Sequence, residues 1–148
     1  MATTYAAATI TITPSTLASG SARESASVTT DTAQNVDDYY ITVGVTPNGT
    51  PTGTKAVFIW VKTSQDAGTT WDGNATSSDA AITLDSPNQF KFGAVLPLQT
   101  TAVRRNVSFS LKAACGGSLP ATWGIIEENQ SGVAYTSSSV VAKEVYNT

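Results

Sequence analysis

Histidine is absent from all 148 residues of this chain. It is the commonest general base near neutral pH, and the Ser-His-Asp and Cys-His catalytic arrangements depend on it. The usual zinc sites need histidine or several cysteines, and the chain has one cysteine, Cys115. The sequence therefore excludes these chemistries, and we expect no metal and no cofactor. A lone cysteine also excludes an intramolecular disulfide and is typical of a reducing compartment.

Charge is scarce as well. Charged residues make up 13% of the chain and the net charge is −3, with eight Lys and Arg in total. Arg104 and Arg105 are the only adjacent basic residues, which is a weak basis for neutralising phosphates, so we expect no nucleic-acid partner. No apolar run approaches the roughly 20 residues of a spanning helix, and residues 1–10 lack the pattern of a signal peptide. We expect no membrane partner.

The chain is rich in hydroxyl side chains, with 24 Thr and 16 Ser. Thr favours strands and Ser favours turns. Apolar residues alternate with polar ones in many short segments, and no long stretch repeats at helical spacing. The alternation predicts strands near residues 8–13, 26–30, 39–46, 55–63, 81–84, 90–96, 107–111, 123–128, 133–135 and 140–146.

About eight to ten short strands separated by turns predict an all-β fold, an antiparallel β-sandwich or barrel. We favour a jelly roll, although a fibronectin-like or other Greek-key sandwich fits the same pattern. Residues 1–25 are expected to form an extended N-terminal arm, frayed over residues 1–5, and the first strand. Residues 26–148 would form the sandwich, and the whole chain a single domain.

The strand at residues 55–63 has two apolar faces. Val57, Ile59 and Val61 line one face, and Phe58 and Trp60 lie on the other. Only one face of a strand meets the core of a two-layer sandwich, so a loop, an arm or another subunit must cover the second. Phe58 and Trp60 are therefore candidates for a subunit interface, with coverage by the chain itself as the alternative.

Residues 64–71 match the Asp-box pattern S-x-D-x-G-x-T-W, which predicts a structural hairpin. In this pattern Ser64 and Asp66 hydrogen-bond to backbone amides of their own turn, Gly68 supplies a positive φ, and Trp71 packs beneath. Sialidases carry this motif as a structural feature away from the catalytic centre. A carbohydrate-related surface is the alternative interpretation.

The sequence offers two further candidate binding sites, one for calcium and one for sugars, and each has an ordinary structural alternative. Calcium binding by Asp66, Asp72 and Asn74 is chemically open because these residues offer oxygen ligands, but an ordinary turn is favoured. A sugar-stacking platform is also open, although scattered core aromatics explain the same residues. Its members would be Trp60, Trp71, Trp123, Tyr39 and Tyr40.

The remaining catalytic hypothesis is a carboxylate-dependent hydrolase. Such enzymes hold two carboxyl groups in one cleft, about 5–10 Å apart. The candidate pairs, Asp37-Asp38 and Glu127-Glu128, are sequence neighbours, and neighbours on a strand point to opposite faces. We therefore do not expect an enzyme.

Residues 117–134 contain a Leu-Pro pair, a Trp-containing strand and the pattern Asn-x-Ser-Gly-x-Ala. Residues 57–71 contain a strand followed by Ser-x-Asp-x-Gly-x-x-Trp. Together these segments resemble small structural proteins of tailed bacteriophages, and the histidine-free, Thr/Ser/Ala/Gly-rich composition suits virion proteins.

The resemblance implies a head decoration, or cement, protein that binds and stabilises the shell of major capsid protein. Proteins of this kind often have jelly-roll or related folds, commonly form homotrimers and carry no catalytic residues. This chain would then be made in the bacterial host cytoplasm and lie on the capsid exterior. The alternatives are a carbohydrate-binding β-sandwich module and a tail-associated host-recognition protein.

Overall fold

Two antiparallel β-sheets packed face to face form the protein in this computed structural model, which describes residues 2–86, 88–99 and 102–147. Met1 and Thr148, the ends of the predicted domain, lie outside the described residues. The strands are β1 (Thr3–Ala8), β2 (Ala22–Glu24), β3 (Val28–Thr29), β4 (Asp38–Pro47), β5 (Ala56–Ser64), β6 (Ala80–Ile82), β7 (Lys91–Pro97), β8 (Arg105–Ser110), β9 (Thr122–Gln130) and β10 (Tyr135–Asn147). A four-residue helix, α1 (Leu111–Ala114), follows β8. The predicted all-β antiparallel sandwich is confirmed.

The two sheets interleave strands from distant parts of the chain. The four-stranded sheet has the order β1-β10-β4-β8. The six-stranded sheet has the order β6-β2-β9-β5-β7, and β3 pairs with β9 outside that path. Within the described residues every strand pair is antiparallel, and the longest-range pairing joins β1 to β10.

The core lies between the sheets and contains the side chains that alternation predicted. Ile41, Val43 and Val45 of β4 are buried, as are their counterparts Val57, Ile59 and Val61 of β5. Each such aliphatic side chain contributes roughly 1.5–3 kcal/mol through burial. Tyr39 and Trp123 meet in this core with ring centroids 5.0 Å apart.

A β-bulge changes the direction of β7. The β5–β7 register places Ile59 opposite Ala94 and Trp60 opposite Phe92, which leaves Gly93 as the extra residue. A Cβ atom at Gly93 would lie 3.0 Å from the Ile59 carbonyl oxygen and from the Phe109 ring, so a side chain there would be crowded. In the strand predicted at residues 90–96, the alternation of apolar residues places Phe92 on the same face as Ala94. That prediction is wrong, because the bulge turns Phe92 onto the outer face of the sheet.

The N-terminal residues differ most from the sequence prediction. The predicted strand at 8–13 is instead β1 at Thr3–Ala8, and residues 3–5, expected to fray, pair with β10. Ile10 and Ile12 do pack against the core, which explains their alternation. The segment around them crosses from one sheet to the other, and the Thr11 carbonyl accepts a hydrogen bond from the Ala26 amide.

Two smaller differences follow from local chemistry. The loop expected at residues 15–25 contains the short strand β2, which pairs with β6 and β9. The strand expected to reach Leu111 ends at Ser110, whose hydroxyl accepts a hydrogen bond from the Ala113 amide and begins α1. Leu111 remains buried in the core as the first residue of that helix.

Candidate functional site

The outer face of β5 and β7 carries a group of exposed and half-buried apolar side chains that we call the aromatic patch: Phe58, Trp60, Phe92 and Val95. Phe58 and Trp60 are half-buried, whereas Phe92 is 51% exposed and Val95 is 39% exposed. The Trp60 ring lies 6.3 Å from Phe58, with the two planes 22° apart, and 5.6 Å from Phe92 in an edge-on contact. The rings therefore form one continuous apolar surface.

Polar side chains from β9 hold the edge of this patch. Trp60 donates its indole N–H to Glu128 Oε2 at 2.8 Å, and Gln130 donates to Glu128 Oε1 at 2.9 Å. Glu128 also lines a neighbouring surface depression of about 420 Å³ beside β2 and β6. The indole orientation is thus fixed by a hydrogen bond, and a carboxylate and a carboxamide flank the apolar surface.

The rest of this outer sheet face is covered by the chain itself. Ala22, Phe90 and Ile126 form a second, smaller apolar cluster, with Trp60, Ala75, Ile82 and Leu84 packed against it. Ala75, Leu84 and Phe90 belong to the connection between β5 and β7, which we call the covering segment, and they supply part of this cover. The sequence left two interpretations of the apolar outer face of β5, coverage by the chain itself or by another subunit. The chain covers this face on the side of β2 and β9, and the aromatic patch on the side of β5 and β7 stays open.

A buried ion pair between Lys62 and Glu24, which the sequence did not reveal, holds the covering segment against the sheet through a hydrogen bond to Thr76. The Lys62 ammonium contacts Glu24 Oε2 at 2.8 Å and donates to the carbonyls of Ser25 and Thr76 at 2.6 and 2.5 Å. Both ionic side chains are almost fully buried. Burial lowers the pKa of Lys62, and the hydrogen bond and charge of Glu24 act against that shift. Gly124 lies opposite Lys62 in the register, and its missing side chain leaves room for the Lys62 stem.

The Asp-box segment forms a compact turn at the end of β5. Ser64 Oγ accepts from the Gly68 amide at 2.9 Å, and Asp66 Oδ1 accepts from the Thr70 amide at 2.8 Å. Hydrogen bonds from Thr70 and Ser64 lower the pKa of the exposed Asp66 carboxyl to about 2. Gly68 has φ of 88°, and Trp71 donates its indole N–H to the Gly68 carbonyl.

This turn differs from a two-stranded hairpin. Asp72 returns to β5, where its amide donates to the Thr63 carbonyl, but the following residues leave the sheet. The two sides of β5 are occupied by β7 and β9. Trp71 packs over the buried ion pair, with the Lys62 ammonium 4.9 Å from its ring centroid. The turn therefore stabilises the start of the covering segment.

The three side chains considered for calcium each form hydrogen bonds within the chain. Both carboxylate oxygens of Asp66 accept hydrogen bonds from its own turn. Asp72 Oδ2 accepts from Thr63 and from the Lys91 ammonium at 2.8 Å. Asn74 donates to the Thr83 carbonyl. Within the described residues, no group of three Asp, Glu, Cys or His side chains is arranged to hold a metal ion.

The structure separates the aromatic residues of the hypothetical sugar platform. Trp123 and Tyr39 are buried in the main core, whereas Tyr40 is 49% exposed on the outer face of the four-stranded sheet. Only Trp60 and Trp71 remain near the outer face of the six-stranded sheet. Phe58, Phe92 and Val95 lie beside Trp60 in the aromatic patch instead. Phe92 is exposed because of the bulge at Gly93, and the glycine is the only feature of the sequence that indicates this bulge.

The carboxylate pairs also separate. Glu127 points between the sheets, where Ser138 Oγ donates to it at 3.1 Å, whereas Glu128 lies on the outer face beside Trp60. Burial raises the pKa of Glu127 to about 8. Asp38 caps the start of α1 by accepting from the Lys112 amide, and Asp37 forms an exposed ion pair with the Lys112 ammonium.

A second exposed group lies on the outer face of the four-stranded sheet. Tyr5, Tyr40 and Val141 are each about half exposed or more and, with Thr42 and Lys143, line a shallow depression of about 430 Å³. We call this group the tyrosine patch. Both outer faces of the sandwich thus carry apolar side chains in contact with solvent.

Comparison with known proteins identifies no relative. No protein-family model matches the chain, and the searches of curated proteins and of solved structures give no significant match. None of the helices in the described part of the chain has the length and apolar character needed to span a membrane.

Proposed function

We propose that this protein is a non-catalytic structural protein of a tailed-bacteriophage virion, a capsid decoration protein that binds the major capsid protein on the outside of the shell. The observation that carries the proposal is the aromatic patch. Contiguous exposed apolar side chains on a folded surface mark interaction sites, and aromatic residues are enriched at the centres of protein interfaces. The resemblance of residues 57–71 and 117–134 to phage structural proteins points to the kind of partner.

The strand pairing supports a jelly roll, which is common among viral capsid proteins and lectins. Four antiparallel pairs are nested along the chain: β1 with β10, β2 with β9, β4 with β8, and β5 with β7. Folding such a nested ribbon over itself gives sheet orders of β1-β10-β4-β8 and β2-β9-β5-β7. We infer that β3 and β6 are additions to this eight-stranded plan.

The mechanism of a decoration protein would be the burial of complementary surface. Trp60 is held in one orientation by Glu128, so little side-chain freedom is lost when a partner covers it. Stable interfaces bury on the order of 1,000 Å² or more, so the aromatic patch would form the centre of a larger contact.

The test is binding to heads of the phage that encodes this chain, prepared without it. Co-sedimentation of purified protein with these heads should saturate. Phe92→Ser combined with Trp60→Ala should weaken binding roughly 30-fold or more, as expected for interface centres. The control is Tyr40→Ser combined with Val141→Ser on the other sheet, which should bind normally. Failure of the wild-type protein to bind would contradict the function, and unchanged binding of the Trp60 variant would contradict the assigned surface.

A carbohydrate-binding module, free-standing or on a phage tail, is the second candidate. It is favoured by the juxtaposition of the Trp60 ring, the Glu128 carboxylate and the adjacent depression of about 420 Å³. Sugar sites commonly combine an aromatic face with a few oriented polar groups. Binding on a glycan array that disappears in Glu128→Gln and Trp60→Ala would support this candidate, and an array without signals would oppose it.

A further inference from the structure

The open edge of β1 is the best-defined contact surface outside the aromatic patch. Among the described strands, β1 has β10 as its strand neighbour and lies at the end of the four-stranded sheet. In an antiparallel pair, every second residue directs its N–H and C=O away from the partner strand. The far side of residues 4–8 therefore presents a row of backbone donors and acceptors that fits one kind of ligand, another extended strand.

The other edges of the two sheets carry features that discourage such pairing, whereas β1 carries none of them. β6 has three residues. β7 contains Lys91, the Gly93 bulge and Pro97, and β8 contains Arg105 and runs directly into α1. Short length, charge, proline and bulges are the usual means of protecting an edge. The β1 sequence, Thr-Thr-Tyr-Ala-Ala-Ala, is uncharged and contains neither proline nor glycine.

We propose that β1 pairs antiparallel with β1 of a second copy of this chain, forming a twofold dimer with a continuous eight-stranded sheet, four strands from each copy. An uncharged strand pairs with itself without like-charge repulsion, and an antiparallel pair about a twofold axis is self-complementary. Pairing centred on Ala6 sets Tyr5 of one copy opposite Ala7 of the other. Both residues are exposed on the same outer face, and the small Ala7 side chain leaves room for the Tyr5 ring.

This arrangement joins the tyrosine patches of the two copies. Tyr5 is 60% exposed in the single chain and stands between the β1 edge and the depression lined by Tyr40 and Val141. Five paired residues from each copy bury less than the roughly 1,000 Å² of a standard stable interface, so we expect a dissociation constant in the micromolar range. The pairing does not depend on the proposed virion function.

Sedimentation equilibrium of the purified full chain from about 1 to 200 μM tests the proposal. We expect a monomer–dimer equilibrium. Ala7→Lys should weaken the dimer at least tenfold because it sets like charges near the twofold axis. Gln65→Lys is the matched control, since it adds the same charge at an exposed position in the turn after β5 of the other sheet and should leave the dimer unchanged. A monomer at all concentrations, or any assembly that persists in Ala7→Lys, overturns the proposal.

A spin-label measurement provides a second test without added charge. With Cys115→Ala and Lys143→Cys, the label lies on β10 opposite Ala7, and the two position-143 Cα atoms of the dimer would lie roughly 16 Å apart, from strand spacing and rise. We expect an interspin distance below about 30 Å, with a longer distance for a label at Gln65→Cys. A trimer, or an associated state without the short distance, would overturn the proposal, because β1 pairing about a twofold axis closes at two copies.

Discussion

Glu127 is a buried acid between the two sheets, where its carboxyl group accepts hydrogen bonds from Ser138. Burial raises its pKa from 4.5 to about 8. At neutral pH the folded protein therefore holds this group mostly protonated, whereas the unfolded chain ionises it. Because the unfolded state then binds fewer protons, the free energy of unfolding falls as pH rises from about 4.5 to about 8.

Replacement of Glu127 should remove this pH dependence. Each pH unit between the two pKa values corresponds to about 1.4 kcal/mol. We expect Glu127→Gln to gain roughly 3–4 kcal/mol of stability relative to wild type between pH 5 and pH 8, measured by urea unfolding. The control is Glu128→Gln on the outer face, which should keep the wild-type slope. A stability difference for Glu127→Gln that does not grow with pH would contradict the assignment.

Lys62 and Glu24 form a buried ion pair, so the stability contributed by each side chain depends on the presence of the other. Removing one member of a buried ion pair leaves an uncompensated charge, at a cost of about 3–5 kcal/mol. We expect Lys62→Met to lose stability in this range, and Lys62→Met with Glu24→Gln to recover a large part of it. The exposed pair Lys112–Asp37 is the comparison, and Lys112→Met should cost about 1 kcal/mol or less. Additive losses in the Lys62 and Glu24 variants would show that the two residues are not coupled.

At the scale of elements, the Asp-box turn is specified by residues within it. Its hydrogen bonds join residues no more than four positions apart, so the sequence pattern indicated these bonds, but it did not indicate that the chain leaves the sheet after Asp72 instead of forming a hairpin. The bulge in β7 is different. Gly93 is required by the Ile59 carbonyl and the Phe109 ring, which come from other strands, so alternation misplaced Phe92.

Hydrogen exchange checks the role of Asp66 in this turn. Asp66→Ala removes the acceptor of the Thr70 amide, so we expect the exchange of that amide to accelerate clearly, with little change at Ile59 in the core. Gln65→Ala, at an exposed position in the same turn, should leave the Thr70 amide protected. Because the pKa of Asp66 is about 2, against 3.8 ordinarily, its stabilising bonds persist at neutral pH and are lost as pH falls through about 2. Equal protection of Thr70 in both variants would contradict this role.

At the scale of the whole molecule, the nested pairing joins the two ends of the chain. Thr4 pairs with Tyr146 and Ala22 with Glu128. Loops of this length must close before their contacts form, so topology of this kind folds slowly. We expect refolding in milliseconds to seconds, measured by stopped-flow tryptophan fluorescence, which changes as Trp123 enters the core. Complete refolding within microseconds would contradict this topology.

The sequence by itself determined what depends on neighbours along the chain. Strand alternation placed Val43 and Ile59 in the core, the Asp-box pattern defined its turn, and adjacency on a strand set Glu127 and Glu128 on opposite faces. Only the tertiary structure decided which strands are neighbours, and with them the Lys62–Glu24 pair, the exposure of Trp60 and Phe92, and the open edge of β1. These features depend on contacts between residues that are tens of positions apart in the sequence. The alternation of apolar and polar residues indicates which face of a strand a side chain lies on, but it does not indicate what packs against that face.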